Sequence, residues 1–202
     1  MGVNKMTKQK SILIVDDLEE NRKAGLEGIS RVYPSSRIEE AADYIGAKRI
    51  VYLEGGNLNL IFSDLFFPED KDKPGTIPTS EESKRLFDDN GWQYFIGEEG
   101  NPPMGMLLQL FAQHKGLRCL IFSDGDRHFE TYGMIKSILI PDYHRGNFTL
   151  QGVGDARGYV MRILRKDFEG RRDKTDPSLW EGLARYVQEY CPEDPQEFYR
   201  WA

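Results

Sequence analysis

Ser11-Ile12-Leu13-Ile14-Val15-Asp16-Asp17 and Leu58-Asn59-Leu60-Ile61-Phe62-Ser63-Asp64-Leu65-Phe66-Phe67-Pro68 decide how this chain is to be read. Each is a short apolar run that halts at a carboxylate. A strand of a parallel sheet is covered on both faces, so it reads as a continuous apolar run rather than as an alternation. In open α/β sheets the functional groups gather where strands end. Asp16, Asp17 and Asp64 are therefore expected together at one sheet edge. Three hard carboxylate ligands suit Mg²⁺. A carboxylate beside such an ion can accept a phosphoryl group as an aspartyl phosphate.

The text around these runs extends the same pattern. Asn21 to Tyr33 reads as a first helix, Arg37 to Ala41 as a short second strand, and Ala42 to Leu53 as a second helix. Met104 to Phe111 looks like a helix start, and Leu117 to Asp124 like another buried strand. Phe148 to Val153 is the candidate fifth strand. Tyr159, Val160, Ile163, Leu164 and Phe168 recur at helical spacing, which predicts an amphipathic helix there. Asp176-Pro177-Ser178 is a good helix opening, with a proline in the first turn. Leu179, Trp180, Leu183, Tyr186, Val187 and Tyr190 supply that helix with an apolar face.

The paired motifs resemble the receiver domain of two-component response regulators. In that family an acidic pair after the first strand holds Mg²⁺, and the phospho-accepting Asp ends the third strand. Asp16 and Asp17 match the pair, Asp64 matches the acceptor, and Pro68 stands where the family usually carries a proline. The resemblance covers residues 10 to 68 and is patchy afterwards. It implies a flavodoxin-like doubly wound sheet of five parallel strands in the order 2-1-3-4-5. Gly105 fits the glycine that opens the third helix, and Ser123 the hydroxyl residue that ends the fourth strand and contacts the phosphoryl group. Receivers also place a lysine after the fifth strand. Lys136 arrives early for that role and Arg162 late, so the lysine stays unassigned.

What the resemblance implies is a stand-alone receiver. Mg²⁺ would be held by Asp16, Asp17 and Asp64, with Asp64 phosphorylated and Ser123 in contact with the product. The donor would be a histidine kinase or a phosphotransfer protein, and the output a contact with a downstream protein partner. Two alternatives stand beside it. A pseudo-receiver would keep the fold and the acidic pocket without being phosphorylated, in line with the unassigned lysine. A permuted haloacid dehalogenase-like phosphatase would use Phe122-Ser123-Asp124-Gly125-Asp126 as its Asp-x-Asp motif and Asp155 as its late metal-binding acid. The order of motifs along the chain opposes that last reading.

Such a domain needs only about 100–150 residues, and the chain has 202. The expected organisation is a disordered lead-in over 1–9, a receiver-like domain over 10–168 with an insertion at 69–103, and a helical extension over 169–202. The insertion begins with proline-bearing charged loop chemistry, with a short helix expected from Ser80 to Phe87. It then carries Trp92, Tyr94 and Phe95, which marks it as a candidate lid, partner contact or homodimer contact. Asp124, Asp126 and His128 crowd the loop after the fourth strand, where a turn explains them as well as chemistry does. Phe198, Tyr199 and Trp201 are expected to pack back on the domain.

Composition bounds the rest. A formal charge of −6 argues against a broad nucleic-acid footprint. The cluster of Arg162, Arg165, Lys166, Arg171 and Arg172 reads as a solvated face. Two cysteines give neither a disulfide framework nor a metal cluster and suit a reducing cytoplasm. No apolar run reaches the ~18 residues of a membrane span, and the basic start lacks the apolar stretch of a signal peptide.

Overall fold

The strand-like runs do form one sheet. The computed structural model describes residues 11–54, 56–73, 80–81, 83–85, 101–123, 142–145, 148–153, 158–162 and 174–190. Within them run β1 (Ser11–Val15), α1 (Glu19–Val32), β2 (Arg37–Ala41), α2 (Tyr44–Glu54), β3 (Leu58–Asp64) and α3 (Met104–His114). There follow β4 (Arg118–Ser123), β5 (Asp142–Arg145), β6 (Phe148–Val153), β7 (Gly158–Arg162) and α4 (Pro177–Tyr190). The sheet order is β2-β1-β3-β4-β7-β6-β5. β2, β1, β3, β4 and β7 are mutually parallel, whereas β6 and β5 continue the edge antiparallel.

Three expectations fail here. Among the described residues the sheet has seven strands, not five, and the neighbour of β4 is Gly158–Arg162 rather than Phe148–Val153. Phe148–Val153 is a strand, but it pairs antiparallel with β7 from the far side. The stretch expected as an amphipathic helix from Tyr159 is therefore strand through Arg162. Its Tyr-Val-Met core has the aromatic and β-branched content of a strand. Tyr159 and Val160 of that spacing lie in the strand, and Ile163, Leu164 and Phe168 lie outside the described residues. Over so short a run, periodicity does not separate the two states.

Strand alternation divides the core into two layers. Leu13, Val15, Ile61, Cys119 and Ile121 face α2 and α3, where Ala47, Val51, Leu107, Leu108 and Ala112 are buried. Ile12, Ile14, Leu60, Phe62, Leu120 and Phe122 face the opposite layer, with Ile29 of α1 and Leu179, Trp180, Leu183 and Val187 of α4. Both faces are covered, which is why these strands read as unbroken apolar runs. The approach of α4 to α1 is close enough to require a glycine. A Cβ on Gly28 would lie 2.1 Å from the Pro177 carbonyl oxygen and 2.8 Å from Trp180 Cβ.

The chain leaving β3 is fastened to the start of α2, whose first backbone N–H groups lack partners within the helix. Tyr44 N donates to the Pro68 carbonyl at 3.1 Å and Ile45 N to that of Glu69 at 3.0 Å. Asp43 accepts from Gly46 N at 2.6 Å and from Lys71 N at 3.1 Å. The buried Glu69 carboxylate accepts from Ser80 N at 3.1 Å and from Ser80 Oγ at 2.5 Å. Ser80 Oγ in turn accepts from Ser83 N at 3.2 Å, opening the helical turn expected from Ser80. Trp92, Tyr94, Phe95, Phe198, Tyr199 and Trp201 lie outside the described residues. Among the described residues no helix is long and apolar enough to cross a membrane.

Candidate functional site

Register brings the acidic strand ends together. Val15 pairs with Ser63, and Asp64 with Phe122, so Asp16 and Asp64 leave adjacent strands at the same edge. Asp16 is fully buried. Its Oδ1 accepts from Leu18 N at 3.1 Å and from Nδ2 of the buried Asn21 at 2.9 Å. Arg22 Nη1 donates to the carbonyls of Asp16 at 2.7 Å and Asp17 at 2.9 Å. The first turn of α1 thus locks the acidic pair's backbone in place.

Asp64 is set by its own strand and by α3. Ser63 Oγ donates to the Asp64 carbonyl at 2.8 Å, and Gly105 N donates to that of Leu65 at 3.0 Å. Gly105 opens the helix against this backbone because nothing larger fits. A Cβ there would lie 2.2 Å from the Asp64 carbonyl oxygen.

The centre of the pocket is a residue that sequence reasoning missed. Lys174, only 7% exposed, sends its Nζ between the two carboxylates. It forms ion pairs with Asp64 Oδ1 and, at 3.2 Å, with Asp16 Oδ2. The ammonium also lies 5.4 Å from the centre of the Phe122 ring. Trp180 holds the backbone beneath it, its Nε1 donating to the Lys174 carbonyl at 2.7 Å while its ring meets Phe122 edge to face. Asp176 caps α4 just downstream, accepting from Ser178 N at 2.8 Å. Lys174 is therefore placed by the helix that completes the second layer.

Charge and burial compete at Asp64. Burial and the neighbouring Asp16 carboxylate push its pKa up to about 7, while the Lys174 ammonium pulls it down. Lys174 offsets only part of the desolvation of the Asp64 carboxylate.

The remaining expected residues divide. Asp17 accepts at Oδ2 from Asn101 Nδ2 at 3.0 Å. Among the described residues no three His, Cys, Asp or Glu side chains are grouped to hold a metal ion. The donor chemistry nonetheless fits Mg²⁺, because two carboxylate oxygens already converge on one cation, the ammonium of Lys174. Ser123 ends β4 one residue past Phe122, the partner of Asp64. Asp124, Asp126, His128, Lys136 and Asp155 lie outside the described residues, and Arg162 ends β7. Lys174 had one legible signal: it stands three residues before Pro177, in the stretch that leads into α4.

No family model matches the chain, and no curated protein does either. Solved structures do. The chain is similar to a response regulator receiver domain protein from Clostridium thermocellum, with 10% identity, a TM-score of 0.41, and coverage of 89% of this chain and 97% of that one. It is also similar to the co-crystal structure of the Saccharomyces cerevisiae histidine phosphotransfer signaling protein Ypd1 and the receiver domain of its downstream response regulator Ssk1. There the identity is 19% and the TM-score 0.30, over 62% of this chain and 70% of that one.

Proposed function

We propose that this chain is an atypical receiver whose Asp64 takes a phosphoryl group from a histidine kinase or a phosphotransfer protein. The observation that carries the reading is the buried Lys174 ammonium between Asp16 and Asp64. It occupies the part left unassigned in the sequence, a lysine placed after the last parallel strand. An oxygen of Asp64 attacks phosphorus in line. The new O–P bond forms as the bond from phosphorus to the donor breaks, and the donor leaves with that electron pair. Mg²⁺ held by Asp16, Asp17 and Asp64 supplies neutralisation of the phosphoryl charge when bound. Lys174 then passes from the Asp64 carboxylate to a phosphoryl oxygen, and Ser123 contacts the product. The added charge biases the surface seen by a downstream protein.

The test is intact mass after incubation with Mg²⁺ and acetyl phosphate. A single phosphoryl adduct is expected in the wild type and none in Asp64→Asn. A second reading, the pseudo-receiver that keeps the pocket without being phosphorylated, is favoured by the hydrogen bond that engages Asp17. Absence of an adduct with Mg²⁺ bound would select it.

A further inference from the structure

We propose that Asn101 is a positioning residue that holds Asp17 out of the cation site. On this account Mg²⁺ takes Asp17 as a ligand in competition with the Asn101–Asp17 hydrogen bond. The inference rests on the reading above that the acidic pocket takes Mg²⁺, and it names the residue that sets how tightly. Asn101 is 9% exposed, and its Nδ2 donates to Asp17 Oδ2 at 3.0 Å. Its backbone is fixed by the residues that follow it. Pro102 and Pro103 follow it, locking their own φ and restricting the residue before them. Pro103 bridges to Phe67 on the chain leaving β3, and Met104 N donates to the Pro102 carbonyl at 2.7 Å. The amide is thus fixed to the same backbone that follows Asp64.

Two cation-binding groups are consequently committed to Lys174 and the third to Asn101. Among the described residues no three carboxylates are grouped to hold a metal ion. A hydrogen bond to an ionised carboxylate in a mostly buried setting is among the stronger kinds. Breaking it is a cost that Mg²⁺ binding has to meet.

The experiment is a calorimetric Mg²⁺ titration of the full chain as wild type, Asn101→Ala, Asp17→Asn and the double variant. Asn101→Leu serves as a second probe that keeps the pocket filled. Removing the amide is expected to tighten Mg²⁺ binding on the order of ten-fold. In the Asp17→Asn background the same removal is expected to change nothing. General structural damage would weaken binding, so a gain in affinity is the discriminating result. Wild-type binding that both Asn101 variants leave unchanged, or weaken, overturns the inference and spares the Mg²⁺ reading. Binding by neither wild type nor variants overturns both.

Discussion

Two kinds of ion pair occur in this molecule, and burial sets them apart. On α1 Lys23 meets Glu19 at 2.6 Å, while Arg31 meets Glu27 and, at 3.3 Å, Glu181 of α4. All of these stand in solvent. At the sheet edge Lys174 stands between Asp16 and Asp64 with almost no access to water. The direction of the pKa shifts records the difference. The hydrogen bond from Lys23 pulls Glu19 below its ordinary value, whereas burial pushes Asp64 up to about 7 despite its lysine. An exposed pair is a weak, screened attraction between groups already content in water. The buried pair is a desolvated charge cluster whose members depend on one another. Removing any one charge from such a cluster leaves the others buried without compensation.

The largest effect should come from breaking the cluster on its cationic side. Lys174→Ala leaves two facing carboxylates buried without compensation, and breaking a buried pair in this way costs about 3–5 kcal/mol. Urea denaturation of the wild type and the variant measures it. Combining Lys174→Ala with Asp64→Asn should recover part of the loss, because the second change removes a stranded charge. Strict additivity of the two would show that the pocket is not one electrostatic unit.

Next in size is a change that leaves every charge in place. Gly105→Ala puts a Cβ against the Asp64 carbonyl, where only 2.2 Å is available, and forces α3 away from β3. Overpacking of this sort costs about 1–3 kcal/mol. A Gly105→Ala protein with the wild-type urea midpoint would mean that α3 does not press on β3 as described.

The pH response sharpens the contrast further, because its sign differs between the two regions. A carboxyl whose folded pKa lies above its unfolded value favours the folded state at low pH. Asp64 therefore contributes stability below its ordinary value of 3.8 that is lost as pH rises through about 7. Glu19, lowered in the fold, contributes in the opposite sense, present above its ordinary value and lost as pH falls. In chelator-treated protein, the stability of the wild type relative to Asp64→Asn should decline between those limits. A difference that rises with pH would contradict the dominance of burial at Asp64.

How much of this was legible follows from the same distinction between local and distant causes. The runs ending at Asp16 and Asp64 announce themselves because a strand covered on both faces must be apolar along its whole length. Ile12 and Leu13 serve opposite layers, so neither can be polar. Lys174 has no such local cause. It lies in a charged stretch beside Arg171, Arg172 and Asp173, and only packing by Trp180 and Phe122 turns one lysine of that run inward. Phe148–Val153 reads as a fifth parallel strand but belongs to the antiparallel edge, so the lysine follows β7 instead. Asn101 was hidden for a simpler reason. Its partner Asp17 is 84 positions away, and no pattern within a window connects them.

The smallest expected effect completes the comparison from the exposed side. Glu181 contacts both Arg185, one helical turn on, and Arg31 of α1, and these bonds hold its carboxyl below the usual range. It lies at the seam between α1 and α4, with its side chain 25% exposed. If ion pairs held that seam, Glu181→Gln would lower the melting midpoint appreciably, and added salt would narrow the gap to the wild type. The seam is instead filled by Trp180, Leu183 and Val187 against Ile29, with Gly28 allowing the close approach. That packing does not depend on ionic strength. The midpoint of Glu181→Gln should therefore stay at the wild-type value at both low and high salt. A salt-sensitive loss would instead assign the docking of α4, and with it the placement of Lys174, to the surface charges.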